Sequence, residues 1–365
     1  MRIVLSAPIF EMARGGAENF AFRLCRALSD RGHEMHVVTD RGRAVPGISV
    51  YQGIAQISKV LEDVRPDLSV DWGFNHPADL HRLGGGAHQY FLEHSLNAYH
   101  GLFRWYKRLR SRSLKHKAII RKQSEMLRRP SAVFLVNSRF AADQVVAAGA
   151  KPEAVVVLHN GVDTNLFRPA QGKEAAGRLR AAWGLSPSNV AVLFIAHNLL
   201  LKNFALLRDI FRQLATRSPR MKLIVVGKRK PPLMPPNAVY AGELSDMVTC
   251  YQAADGLAHP TFFDSCANVV LEAMSAGLPV AASNVCGAHE LIEEGKSGFV
   301  LAVTGKKREV TNQWLKTLQV LGEDDGLRRR MGVAGREAML GNDFAYYVTR
   351  LEGIMKQVLE RKQGI

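Results

Sequence analysis

The sequence predicts an α/β protein made of two doubly wound domains in tandem. Three observations carry this expectation. Strand-like and helix-like stretches alternate through residues 1–158, and the alternation restarts at residue 190. Turn-forming residues collect between the two runs, at Asn160-Gly161 and Pro169. A length of 365 residues also exceeds the usual single core, which favours two domains.

The elements follow in order. Residues 2–5 are a short β-type run. After the turn at Arg14-Gly15-Gly16, residues 17–29 place Phe20, Leu24 and Leu28 four apart, a helical stripe. Gly32 and His33 lead into strand-like residues 35–38, and further β-rich runs occupy 68–70, 132–136 and 154–158. This rhythm argues for βαβ units and a parallel sheet. In the second half, residues 190–196 and 222–226 read as strands around a helix at 205–216. Short β runs at 238–240 and 278–281 enclose another helix. After Phe344, the residues Tyr347, Leu351, Met355 and Leu359 keep helical spacing. The expected division is a first domain over 1–165, a second over 171–343 and a terminal helix over 344–365.

Composition bounds the function. Apolar residues make up 47% of the chain, ample for two cores. Cys25, Cys250, Cys266 and Cys286 lie far apart with no CxxC or CxxH spacing, so no zinc site or disulfide framework is expected. That usage fits a reducing compartment. The apolar run in MRIVLSAPIF is too short for a signal-peptide core or a membrane span, which predicts a cytoplasmic protein. The formal net charge of +16 predicts attraction to anions: nucleic acid, phosphorylated glycans or an acidic membrane face.

The segment richest in candidate chemistry runs from His259 to Gly277. A helix is expected from about Cys266 to Gly277, a good C-terminal stop. Asp264 then precedes its first turn, where free backbone N–H groups bind phosphate well. Glu272 follows eight positions later, up to about 12 Å along the axis. Two carboxylates at that separation can accept from hydroxyls at either end of a sugar nucleotide, with the N–H groups between them on the diphosphate. By themselves they also fit a helix cap and a solvated charge.

Context bears on that choice. The segment resembles the donor-binding motif of the family-4 retaining glycosyltransferases, an acid, seven residues, then Glu, here Asp264 and Glu272. Tyr251-Gln-Ala-Ala-Asp255, Gly277-Leu-Pro279-Val280, Gly287, Asn160-Gly161-Val162-Asp163 and Gly295-Lys-Ser-Gly298 match the same family's surroundings. The resemblance implies a GT-B fold, two Rossmann-like domains facing across a cleft, with the last helix crossing back to the first domain. It also implies a sugar-nucleotide donor, retention at the anomeric carbon and no bound metal or other cofactor. Asp264 is then placed at the donor sugar, Glu272 at the ribose, and the backbone of Cys266, Ala267, Asn268 and Val269 at the diphosphate. Asp replaces the family's usual Glu at 264, which shortens that contact by a methylene.

Three further stretches are read in the same light. In the run from Ala196 to Asn203, Lys202 matches the family's diphosphate lysine. Leu201 falls near its arginine position, so one cation is missing, and Asn203 replaces its glycine. Gly15-Gly16 resembles the family's cleft-lining loop, although two glycines also make a plain turn. Gly84-Gly85-Gly86-Ala87-His88 resembles a loop ending in a catalytic histidine, with glycine where some relatives have Asp. His88 is therefore the candidate nearest the transferred sugar. A structural histidine is the alternative.

Residues 103–129 hold many cations and a single acid, Glu125. Phe103, Trp105 and Tyr106 among Arg104, Lys107, Arg108 and Arg110 suit contact with an anionic membrane. A solvated basic helix and a nucleic-acid arm are the other readings. The placement, with Trp72-Gly-Phe-Asn75-His-Pro, resembles the lipopolysaccharide-core glucosyltransferases. The expected function is transfer of a hexose, from UDP-glucose or a close UDP-hexose, to a lipid-linked or lipopolysaccharide-core glycan at the inner membrane face. A GT-B-fold nucleotide-sugar epimerase and a non-catalytic nucleic-acid-binding protein are the alternatives; no nucleic-acid partner is expected on the main reading.

Overall fold

Short apolar runs become central strands here because each is buried on both faces of a parallel sheet. The computed structural model describes residues 1–11, 16–172 and 174–364. The chain divides into two units, one of residues 1–92, 110–160 and 345–365, the other of 93–109 and 161–344.

In the first unit, β1 (Arg2–Ser6), β2 (Glu34–Thr39), β3 (Ile48–Gln52), β4 (Leu68–Asp71), β5 (Leu80–Leu83), β6 (Val133–Val136) and β7 (Val155–Val157) form one sheet. Their order is β3-β2-β1-β4-β5-β6-β7, with every pairing parallel. Ile3 of β1 sits opposite both Met35 and Leu68, which sets the central register. Among its helices are α1 (Gly16–Asp30), α2 (His88–Ser95) and α4 (Leu114–Leu127), whereas α3 (Gly101–Ser111) lies almost wholly in the stretch that groups with the second unit. Phe20, Leu24 and Leu28 of α1 are buried, as a stripe at spacing four requires.

Strand β5 has no apolar run to announce it. It reads Leu-His-Arg-Leu, and all four residues are buried. The polar pair is accommodated by partners far away in sequence. His81 Nδ1 lies 3.3 Å from the Asp71 carboxylate, and Arg82 donates to Asn160 Oδ1 at 2.6 Å with its guanidinium over the Trp72 ring.

In the second unit, β8 (Val190–Ile195), β9 (Met221–Val226), β10 (Ala238–Gly242), β11 (Gly256–His259), β12 (Val280–Ser283) and β13 (Gly298–Leu301) form a parallel sheet ordered β10-β9-β8-β11-β12-β13. Strand order reverses beside β8, so the loops after β8 and β11 flank a topological switch point. Three helices matter for the site: α5 (Phe204–Arg217), α6 (Asn268–Ser275) and α7 (Lys307–Glu323). One face of α5 buries Phe204, Leu207, Ile210, Phe211 and Leu214. Trp314 of α7 is fully buried and donates its indole N–H to the Ala302 carbonyl at 2.8 Å. Gly277 follows α6 at φ +80°, a conformation glycine adopts without strain, and its N–H bonds back to Met274.

The last helix, α8 (Phe344–Gln363), groups with the first unit from residue 345 onward. Its Tyr347 meets Phe20 edge-on at 5.0 Å, and Glu352 accepts from Arg31 at 2.6 Å and pairs with His33 at 2.8 Å. The expectation of an unbroken first domain over 1–165 needs correction. Residues 93–109 group with the second unit, and the first unit's central stretch ends at Asn160. Among the described residues, no helix is long and apolar enough to cross a membrane.

Candidate functional site

The second unit brings Lys202 and Asp264 into contact. After β8, the chain turns tightly through residues 198–203: Lys202 N–H donates to the Asn198 carbonyl and Asn203 N–H to that of Leu200. Asn203 sits at φ +59°, a left-handed conformation that asparagine tolerates better than most residues. Leu201 packs on the core, and its carbonyl accepts from Phe262 N–H at 2.9 Å, tying this loop to the one after β11.

Asp264 is pinned from both sides of its peptide. Its N–H donates to the Val285 carbonyl at 3.1 Å, and its own carbonyl accepts from Gly287 N–H at 2.8 Å. One carboxylate oxygen accepts from Cys266 N–H at 3.2 Å; the other accepts from the Lys202 ammonium. His259 Nε2 stands 3.7 Å from that second oxygen and 3.5 Å from Lys202 Nζ. Burial alone would raise the Asp264 carboxyl, but the adjacent Lys202 and His259 hold it well below the usual carboxylate range. Burial, then Lys202, lowers His259, so its ring is neutral near pH 7.

Helix α6 begins at Asn268, two residues after the expected start. Ala267 occupies the cap position in extended conformation with no side-chain cap bond. Asp264 is therefore not the cap residue, although its carboxylate still takes one N–H ahead of the helix. Cys266 and Ala267 are buried, with Asn268 and Val269 opening the first turn. The Cys286 thiol, buried beside this turn, is pushed up to about 12, first by desolvation and then by Asp264. All four cysteines are buried, and none forms a disulfide among the described residues. Farther along α6, Glu272 accepts from the Tyr251 hydroxyl at 2.7 Å. Burial, then Glu272, raises that hydroxyl well above its ordinary range, so it stays a donor.

His88 belongs to the first unit, at the start of α2. Its N–H donates to Gln123 Oε1 at 2.9 Å, and its Nε2 lies 2.9 Å from His116 Nδ1. Burial, then His116, lowers its ionisation, so it is neutral near pH 7. Gly16 opens α1, whereas Gly15 lies outside the described residues.

The membrane candidates fall on α3, none of whose residues is buried. Leu102 is 84% exposed and Trp105 61%, with Tyr106 and Leu109 also exposed. At 100° per residue these four share one stripe, opposite His100 and Arg104. Phe103 is exposed at the stripe's edge, Lys107 Nζ stands over the Tyr99 ring at 5.0 Å, and Arg108 and Arg110 are among the helix's remaining cations.

Two partners escape sequence reasoning. His259 closes the triangle with Lys202 and Asp264, and Tyr251 binds Glu272. The available signal for His259 was a histidine ending an apolar strand at the sheet's carboxyl edge, where ligands bind.

Known proteins share this architecture. A family model described as Glycosyltransferase Family 4 matches residues 14–166, and one described as Glycosyl transferases group 1 matches 190–319. The chain is 31% identical over 221 residues to a D-inositol 3-phosphate glycosyltransferase of Streptomyces bingchenggensis, covering 54% of this chain and 47% of that protein. It thus spans less than half the length of that relative. The crystal structure of WaaG, a glycosyltransferase involved in lipopolysaccharide biosynthesis, superposes with a TM-score of 0.78 at 17% identity, covering 97% of this chain and 99% of WaaG. Anabaena HepE in complex with UDP-glucose gives 0.72 at 19% identity, covering 100% of both.

Proposed function

Because the chain belongs to the glycosyltransferases that join a family-4 domain to a group 1 domain in a GT-B fold, we propose that it moves a hexose from a UDP-sugar to a glycan acceptor. The donor is UDP-glucose or a close UDP-hexose. The acceptor is membrane-linked, of the lipopolysaccharide-core type, and the protein works peripherally at the cytoplasmic face of the inner membrane. The observation that carries this reading is the Lys202–Asp264 pair ahead of the first turn of α6.

A cation, a carboxylate and a helix N-terminus suit a sugar diphosphate. Lys202 turns to the diphosphate and stabilises charge on the leaving phosphate. The N–H groups near Ala267 and Asn268 share that anion. Asp264, released from Lys202, accepts from the sugar hydroxyls, and Glu272 from the ribose. In the transfer, the bond from the anomeric carbon to the phosphate oxygen breaks. The acceptor oxygen bonds to that carbon on the same face, and its proton passes to the departing β-phosphate. The configuration is retained, UDP leaves, and no resident metal takes part. His88, Gly15 and Gly16 are assigned to the donor sugar on the family resemblance.

The WaaG and HepE likenesses support the acceptor class and the donor respectively. The exposed apolar stripe of α3 among its cations supports the membrane face. The test is a panel of UDP-hexoses with truncated lipopolysaccharide core, run beside D-inositol 3-phosphate and a no-acceptor control. Transfer to core glycan with the donor's configuration kept is expected. Transfer to the inositol alone would move the acceptor assignment, free epimer without acceptor would make the chain an epimerase, and no turnover with any donor would remove the reading.

A further inference from the structure

A cavity in the second unit adjoins the Lys202 loop: Asn203, next in the chain to Lys202, and Phe262, two residues before Asp264, are in its lining, while Lys202, Asp264 and Glu272 are not. Its volume is about 410 Å³. The floor is apolar, made by Phe262, Val303 and Leu206, all buried. The rim is basic: Arg104 of α3, Arg208 of α5 and Lys307 of α7, with His100 beside them. One carboxylate opposes the three cations. Asp209 pairs with Arg208 at 2.8 Å and with Lys307 at 3.4 Å. Arg104 makes only a long 3.5 Å contact to Asn97.

Two helices begin at this cavity, α5 and α7, and neither N-terminus is capped by a side chain. Their first N–H groups add positive potential at the same place. The independent sign of a ligand is Asn203. Its side chain lines the cavity, is only 8% exposed, and has no hydrogen-bond partner among the described residues. Its amide opens onto the cavity, where a bound oxygen-rich group can accept from its N–H groups.

We propose that this cavity binds a phosphate monoester, borne by a saccharide or by a lipid headgroup. A monoester brings a charge of about −1.5 to −2 at pH 7, which suits three cations of which one carboxylate pairs with two. The volume holds more than a bare phosphate, and the Phe262 floor suits the apolar face of a sugar ring. The site adjoins the loop of Lys202 through Asn203, but its three cations are not those of the donor assignment. The same chemistry could come from a soluble sugar phosphate or from a lipid phosphate headgroup, since α3 supplies both Arg104 and the exposed apolar stripe.

The test is calorimetric titration of the full chain with glucose 6-phosphate, with glucose as control, and sedimentation with vesicles of phosphatidic acid against phosphatidylglycerol. Wild type is expected to bind glucose 6-phosphate and not glucose, more tightly as pH rises through about 6, where the monoester takes its second charge. Arg208→Gln with Lys307→Gln should weaken binding about tenfold or more, while Lys202→Ala leaves it unchanged. Lys307 is 86% exposed, so Lys307→Gln alone keeps the fold and should still weaken binding. If only phosphatidic acid vesicles are preferred, and that preference is lost in the double variant, the site takes the monoester from lipid. Binding that survives Arg208→Gln with Lys307→Gln, or that disappears in Lys202→Ala, overturns the proposal, as does no binding in either arm.

Discussion

The Lys202 ammonium donates to the Asp264 carboxylate, so the cation and the acid that would hold opposite ends of a sugar diphosphate hold each other in the free chain. Neither is left uncompensated in a largely buried loop, and on the proposed reading a donor would have to separate them. Part of its binding energy would then go into breaking the pair, coupling diphosphate binding to release of the carboxylate proposed to read the sugar.

The pair should show in the pH dependence of stability. Asp264 ionises below its unfolded value, so its stabilising contribution is complete above the unfolded pKa of about 4 and is lost as pH falls toward the lower folded value. Lys202→Met should lower the melting temperature at pH 7. The gap to wild type should close on acidification below about pH 4. A gap that stays constant across that range would mean the pair contributes nothing to the pH dependence.

Asp264→Asn should impair turnover more than UDP affinity, because the side chain is assigned to the sugar rather than the nucleotide. Asp264→Glu is the sharper probe, since it lengthens the reach of the carboxylate by one methylene. A changed preference among UDP-hexoses is expected. An identical preference and rate would leave Asp264 with only its structural contacts to Lys202 and Cys266.

Tyr251 and Glu272 should be separable by stability and binding. Glu272→Ala leaves the buried Tyr251 hydroxyl without that acceptor, at a cost of about 1–3 kcal/mol in urea unfolding. Adding Tyr251→Phe should recover much of that stability without recovering UDP affinity. Recovery of both would show that Glu272 acts only by supporting Tyr251.

Replacing Arg104, Lys107, Arg108 and Arg110 by Gln should release the protein from anionic vesicles, since each cation near such a surface contributes about 1 kcal/mol. Trp105→Ala with Leu109→Ala should weaken the same binding without changing its salt dependence. Equal sedimentation of wild type and the cation variant would remove the membrane role of α3.

Much of this fold is legible because parallel strands are written locally. The run Val190–Ile195 is apolar throughout, and it is a central strand buried on both faces. The strand at Leu80–Leu83 is not legible, because the partners of His81 and Arg82 come from Asp71 and Asn160. The grouping of residues 93–109 with the second unit also depends on long-range contacts that no periodicity encodes. In the site, Lys202, Asp264 and Glu272 stand out by type and spacing. Their direct partners do not: His259 ends an apolar strand, Tyr251 precedes α6 by many residues, and each contact exists only once the loops meet.

The central claim is that Lys202 and Asp264 form the donor site of a UDP-sugar-dependent transferase. Calorimetric titration of UDP and UDP-glucose into wild type, Lys202→Ala and Asp264→Asn tests it most directly. Wild type should bind both ligands. Lys202→Ala should weaken both by about tenfold or more, the loss of one charge-assisted contact. Asp264→Asn should weaken UDP-glucose relative to UDP. Unchanged affinity for both ligands in both variants, with the fold intact, would contradict the account.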